Sequence, residues 1–255
     1  MYCVVHALMR RYVKNEESMK PKSDSLFHFT RSLDVLKSIL RNGIFPRYCM
    51  EDIEWMGGNN DYVAYPMSCF CDIPLSRISE HTSFYGRFGL GLSKEWGRKN
   101  NLNPVIYSSE DGLTQKSLKF FMQHDFDEEC SDEAHNNLYK LLALHKPVEG
   151  KMVLGNEVVT KEFHLENEWR YIPDWEIKFL FTQNSREELE EENKKLEKRK
   201  LEIAPSDIKY IFVPEDGDIP KLVDFINNEL GSFSLNDLKI LQTRIVSLAT
   251  LNGDI

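Results

Sequence analysis

Apolar residues recur along this chain with two periods. Alternation and short apolar runs mark strands at Leu26-Phe27-His28-Phe29-Thr30, Val63 to Asp72, Phe88 to Leu92, Asn103 to Tyr107 and Ile208 to Val213. The spacing of Leu33, Leu36, Ile39 and Leu40 predicts a helix that Ser32 opens and Asn42-Gly43 stops. Ser93 to Lys99 predicts a short helix with Ser93 as N-cap. Leu118, Phe121 and Met122, then Leu138, Leu141 and Leu142, predict two helices between Thr114 and His145, joined around Asp127-Glu128-Glu129. No strand pattern interrupts them, so residues 114 to 145 read as a helical insertion in a sheet-based domain. Strand character returns from Met152, and in Phe163 to Tyr171 the odd positions Phe163, Leu165, Trp169 and Tyr171 are apolar. The even positions His164, Glu166, Glu168 and Arg170 should then share the other face of one strand. Ser185 to Lys200, rich in Glu and Lys at i, i+4 spacing, predicts a solvated helix. Further helices are expected at Ile219 to Leu230 and Ser234 to Leu248. Residues 1 to 24 end in Lys20-Pro21-Lys22-Ser23-Asp24 and read as an extension and linker ahead of one domain spanning 25 to 255.

With 255 residues, 41% of them apolar, such a domain has enough material for a core. The formal charge of −9 argues against general nucleic-acid binding and leaves room only for a local basic groove. No apolar run approaches the ~20 residues needed to cross a bilayer, and the opening ten residues carry their charges on the wrong side for a secretory signal. A soluble cytoplasmic protein with no membrane partner is the expectation. Five cysteines (Cys3, Cys49, Cys69, Cys71 and Cys130) form an odd set without repeated C-x-x-C spacing, so free thiols are expected, with neither structural zinc nor disulfide. In Cys69-x-Cys71 one thiol should be buried and the other on the opposite face.

Three polar groups stand on predicted strands: His28 with Thr30, then Tyr85 or Ser68, then Glu166-x-Glu168. Glycosyl transfer from NAD passes through an oxocarbenium-like centre, which a carboxylate beside the ribose stabilises. Glu168 is the candidate, with Glu166 nearer the acceptor; His28 would hydrogen-bond the ribose and an aromatic, Tyr85, Phe84 or Phe88, would flank the nicotinamide. Each also has a plain structural role available. The two carboxylates can serve cross-strand salt bridges near Arg170 or to Lys151, His28 can rest on a backbone carbonyl, and Thr30 can start the helix. His28-x-Thr30 and His81-x-Ser83 would be a phosphoesterase or ligase pair on RNA if both lay on strands. The second follows a helix-like Leu75 to Glu80 and fits that pattern badly. Gly86, Gly89 and Gly91 reverse the dinucleotide fingerprint and are expected to admit close approach of backbone or ligand.

The blocks Leu26-Phe27-His28-Phe29-Thr30, Met67 to Leu75, Tyr85 to Leu92 and Glu166-Asn167-Glu168-Trp169-Arg170-Tyr171-Ile172-Pro173 resemble the bacterial abortive-infection AbiGi family, as does Leu241 to Ser247. The resemblance runs from about Leu26 to the C-terminal end. It implies phage resistance and an antitoxin whose partner is a nucleotidyltransferase-like toxin. The first strand and the E-x-E segment also resemble the ADP-ribosyltransferase fold, above all its DNA-modifying branch. That likeness implies an α+β architecture: a bent or split β-sheet core with flanking helices, the helical insertion and a helical C-terminal cap. It further implies NAD as substrate, held by His28, Phe29, Thr30, Ser68 and Tyr85, with Glu168, Glu166 and His28 catalytic and an acceptor-shaping loop within Gly155 to Lys161. Two functions are thus expected in competition. One is transfer of ADP-ribose to a nucleic-acid or protein acceptor in phage defence; the other is a non-catalytic module that binds a toxin partner or a phage-derived protein.

Overall fold

The computed structural model describes residues 23–57, 61–124, 132–154, 157–174, 180–181 and 186–254. Its strands in chain order are β1 (Ser25–Thr30), β2 (Arg47–Asp52), β3 (Tyr62–Cys71), β4 (Phe88–Ser93), β5 (Asn103–Pro104), β6 (Ile106–Ser108), β7 (His145–Pro147), β8 (Glu149–Leu154), β9 (Glu157–Glu162), β10 (Glu168–Tyr171), β11 (Leu180–Phe181), β12 (Ile208–Val213) and β13 (Ile245–Ser247). The helices are α1 (Leu33–Asn42), α2 (Ile78–Tyr85), α3 (Lys94–Lys99), α4 (Leu113–His124), α5 (Asp132–Ala143), α6 (Arg186–Lys195), α7 (Ile219–Glu229), α8 (Leu235–Gln242) and α9 (Leu248–Asp254).

The main sheet has the order β13-β12-β4-β1-β3-β10-β5, with β2 and β11 added to β3. The β12–β13 pair is parallel and the other pairs of this sheet are antiparallel, so the fold is α+β with a mixed sheet. Side-chain alternation sends Leu26, Phe70, Leu90 and Leu92 to one face, where they pack with Leu36 and Ile39 of α1, Trp96 of α3 and Leu222 of α7. Phe27, Phe29, Cys71 and Phe212 leave by the other face and meet Ile78 of α2 and Leu248 of α9.

Local chemistry explains the elements that sequence period foresees. The Ser32 hydroxyl accepts from the Val35 N–H at the start of α1, and Gly43 at φ +87° ends it. Ser93 caps α3 through the Trp96 N–H. At Gly86, φ is +116° and a Cβ would overlap the Thr30 carbonyl, so this glycine lets α2 turn against the end of β1.

Tertiary pairing changes other elements. Phe163–Glu166 is a 3₁₀ turn, Asn167 is left-handed at φ +42°, and β10 begins only at Glu168, so Glu166 and Glu168 are not on one strand. Tyr85 sits at the end of α2 and not on a strand. Asn103 to Tyr107 divides between β5, paired with β10, and β6, paired in parallel with β7. Ser234 to Leu248 is not one helix: α8 stops at Gln242, and Ile245–Ser247 adds a strand beside β12. Cys69 and Cys71, two residues apart on β3, point to the same side and not to opposite faces. α6 is not solvated all round, since Glu192 and Asn193 are buried and the Asn193 Oδ1 accepts from the Tyr48 N–H at 2.8 Å. Residues 1–22, the Asp127-Glu128-Glu129 junction and Gly155 of the expected acceptor loop lie outside the described residues.

Candidate functional site

β1 and β3 pair only where Phe27 faces Cys71, whereas β3 pairs with β2 from Tyr62 to Met67. The sheet therefore splits between β1 and β3, and a cavity of about 970 Å³ occupies the split. That is the size of a small-molecule site. Its walls include His28, Phe29, Ser68, Tyr85, Glu166 and Glu168, all of them singled out from the sequence. Thr30, also singled out, is not on the cavity wall.

Sheet register decides how these groups face one another. Phe27, Cys71 and Glu168 are in line across three adjacent strands, so their side chains leave by one face. His28, one residue further along β1, leaves by the other and packs its ring 5.4 Å from that of Phe70. His28 and Glu168 thus approach the one cavity from opposite sides of the sheet.

His28 spans the split through its Nδ1, 2.8 Å from the Cys69 carbonyl oxygen. A carbonyl only accepts, so Nδ1 carries the proton and Nε2 keeps a lone pair. Burial lowers the His28 pKa against the opposing effect of that hydrogen bond, which keeps the ring neutral. Beside it the Ser68 hydroxyl is buried and has no hydrogen-bond partner.

Across the split lies a cluster of buried charge. Arg170, with no exposure at all, donates from Nε to Glu168 Oε1 at 2.9 Å and from Nη2 to Glu168 Oε2 at 3.1 Å. Its Nη2 also reaches Glu51 Oε1 at 2.8 Å, and its Nη1 donates to the Ala143 carbonyl at 2.6 Å. Lys146 donates to Glu168 Oε2 at 3.1 Å and stands 3.8 Å from Glu166 Oε2. Glu166 Oε1 accepts from Lys161 and from the Tyr85 hydroxyl, both at 2.6 Å. Burial alone would raise the Glu168 carboxyl, but the Arg170 and Lys146 charges outweigh it and hold the group well below the usual carboxylate range. Lys146 is likewise opposed by burial, yet Glu168 and Glu51 push it above its ordinary value. Burial and the neighbouring Glu166 carboxylate push the Tyr85 phenol up. Burial pulls His81 down to about 4, and its ring packs, tilted, 4.5 Å from that of Tyr85.

Lys146, Arg170, Glu51 and Lys161 were not among the sequence candidates. Arg170 could have been found, since E-x-E-x-R places a cation next to the acidic pair. Lys146 gave no local signal because it arrives on β7, just beyond the insertion. The paired H-x-[ST] arrangement is absent here: His81-Thr82-Ser83 lies on α2, and the exposed Ser83 hydroxyl bonds the Glu80 carbonyl at 2.6 Å. Cys49, Cys69 and Cys71 are free thiols, and among the described residues no group of His, Cys, Asp and Glu is arranged to hold a metal ion. Among them, too, no helix is long and apolar enough to cross a membrane.

Residues 42–214 match the family model described as abortive phage resistance protein AbiGi, antitoxin. The chain is 30% identical over 217 residues to the abortive phage resistance protein AbiGi of Lactococcus lactis subsp. cremoris, an alignment covering 72% of this chain and 87% of that protein. No solved structure matches it.

Proposed function

Because this chain belongs to the AbiGi family of abortive phage resistance proteins, we propose that it serves phage defence as a binding component, an antitoxin-type module that restrains a toxin partner, and not as an enzyme. The state of Glu168 carries this reading. Both its oxygens are engaged by Arg170 and Lys146 inside the protein. A carboxylate already neutralised by two buried cations has little field left for a developing oxocarbenium centre. Releasing it toward a substrate would strand the Arg170 charge in the interior, which is costly. The antitoxin description of the family points the same way.

ADP-ribosyl transfer is the second reading, favoured by Glu166. Its Oε2 has Lys146 only at 3.8 Å, and Glu166 lines the same cavity as Tyr85. Co-expression with a nucleotidyltransferase-like toxin, the partner class that the family resemblance implies, separates the two. An antitoxin co-purifies with that protein and restores growth, Glu166→Gln does so equally, and labelled NAD mixed with cell lysate yields neither free nicotinamide nor a labelled macromolecule. NAD turnover that Glu166→Gln abolishes would replace this proposal with the transferase.

A further inference from the structure

We infer that the α1 side of the split cavity is a binding site for an uncharged heteroaromatic ring with a hydrogen-bonding edge, the class to which nucleobases and nucleosides belong. Two polar atoms there lack partners. The Ser68 hydroxyl is buried, in a residue 4% exposed, with no hydrogen bond. Buried polar groups are almost always paired, and an unpaired one on a cavity wall marks a place that a ligand can satisfy. His28 supplies the second atom. Its Nδ1 is committed to the Cys69 carbonyl, so its Nε2 is left as a bare acceptor.

The two are neighbours. His28 binds the carbonyl of the residue that follows Ser68, and alternation along β3 puts Ser68 on the same face as Phe70, against which the His28 ring packs. Around them the cavity wall carries Val35, Ile39, Phe45 and Phe70, with Asp34 and Ser38 of α1 beside these apolar groups. A flat ring bounded by such side chains can give an N–H to Nε2 of His28 and exchange a second hydrogen bond with the Ser68 hydroxyl. Nucleobases carry such donors and acceptors side by side on one edge.

Charge disfavours an anionic ligand. The cations on the cavity wall are each spoken for: Arg47 lies 3.6 Å from Glu190, Lys146 3.1 Å from Glu168 and Lys151 2.6 Å from Glu54. Asp34, Glu51 and Asp52 stand on the same wall with Glu166 and Glu168. A phosphate entering here would meet an excess of carboxylate, so a nucleoside is favoured over its nucleotide. About 970 Å³ leaves room for a sugar beyond the ring. The site stands whether or not the chain restrains a toxin.

Isothermal titration of the full chain with adenosine, guanosine, cytidine and uridine, and with AMP and NAD, tests this. At least one nucleoside should bind, and the phosphorylated compounds should bind roughly ten-fold more weakly or not at all, a difference that one unfavourable charge readily produces. Ser68→Ala removes an unpaired hydroxyl, so it should melt no lower than the parent while binding that nucleoside about ten-fold more weakly. His28→Phe should weaken it as well. The inference is overturned if no nucleoside binds at millimolar concentration, if Ser68→Ala binds unchanged, or if AMP or NAD binds more tightly than the nucleosides. Tight NAD binding would at the same time favour the transferase reading, whereas absent nucleoside binding would leave the antitoxin reading untouched.

Discussion

Glu168 matters to this protein as an ion and less as a shape. Glu168→Gln keeps the volume but leaves Arg170, fully buried, and Lys146 with one carboxylate fewer. Breaking a buried pair from one side costs about 3 kcal/mol or more, so urea unfolding at neutral pH should show a large loss for this variant. Acid supplies the sign. The Glu168 carboxyl is held below its ordinary 4.5 in the folded chain, so its contribution is complete above about pH 4.5 and drains as pH falls below that. The stabilities of parent and Glu168→Gln should therefore converge in acid, and a gap that stays constant down to pH 3 would disprove the assignment. Tyr85→Phe is the milder companion. It takes one donor at 2.6 Å from Glu166, which keeps Lys161, and should cost about 1 kcal/mol in the same measurement.

Two backbone positions make the turns on which the site depends. Gly86→Ala would drive a Cβ into the Thr30 carbonyl at a φ of +116°, and should lower the melting temperature by several degrees, a loss of about 2 kcal/mol. Asn167, at φ +42°, tolerates glycine within a few tenths of a kcal/mol, whereas Asn167→Val should cost about 1–2 kcal/mol. Asn167 also shows where sequence pattern misleads. Alternation from Phe163 to Tyr171 is real, but a 3₁₀ turn closed by one left-handed residue interrupts it, and period alone does not register a single change of φ. β1, α1 and α3 were legible because each carries a complete local signal, a strand period or a helical stripe with a serine cap. Ile245 to Ser247 was not. Its residues fit the end of a helix locally, and only parallel pairing with Ile211 to Val213 draws them into the sheet.

Across the whole molecule, the insertion is part of the charge cluster. It supplies the Ala143 carbonyl, β7 directly after it supplies Lys146, and the Tyr107 hydroxyl accepts from the Glu168 N–H at 2.9 Å. These contacts join residues between 22 and 61 positions apart, which is why the acidic pair was visible in the sequence and its partners were not. The same long-range burial encloses two histidines besides His28, whose pKa burial also lowers. His81 lies against Glu166 and Tyr85, and His145 holds the Ser108 hydroxyl at 2.6 Å while its ring packs 4.6 Å from Trp55. Burial lowers both from 6.5 to about 4, helped at His145 by the Arg170 charge. Between those values the unfolded chain takes up protons that the folded chain refuses. Stability should then be level above about pH 7 and fall as pH drops from 6.5 toward 4, by at most about 1.4 kcal/mol per pH unit for each histidine. Below about pH 4.5 the loss from Glu168 adds to it. Urea unfolding from pH 8 to pH 4 reads this directly, and His145→Asn and His81→Asn should each flatten the slope between 6.5 and 4 even where they lower stability at pH 7. A parent protein equally stable at pH 7 and pH 5 would mean that the two imidazoles take up protons within the fold, and the neutral, charge-balanced interior described above would have to be abandoned.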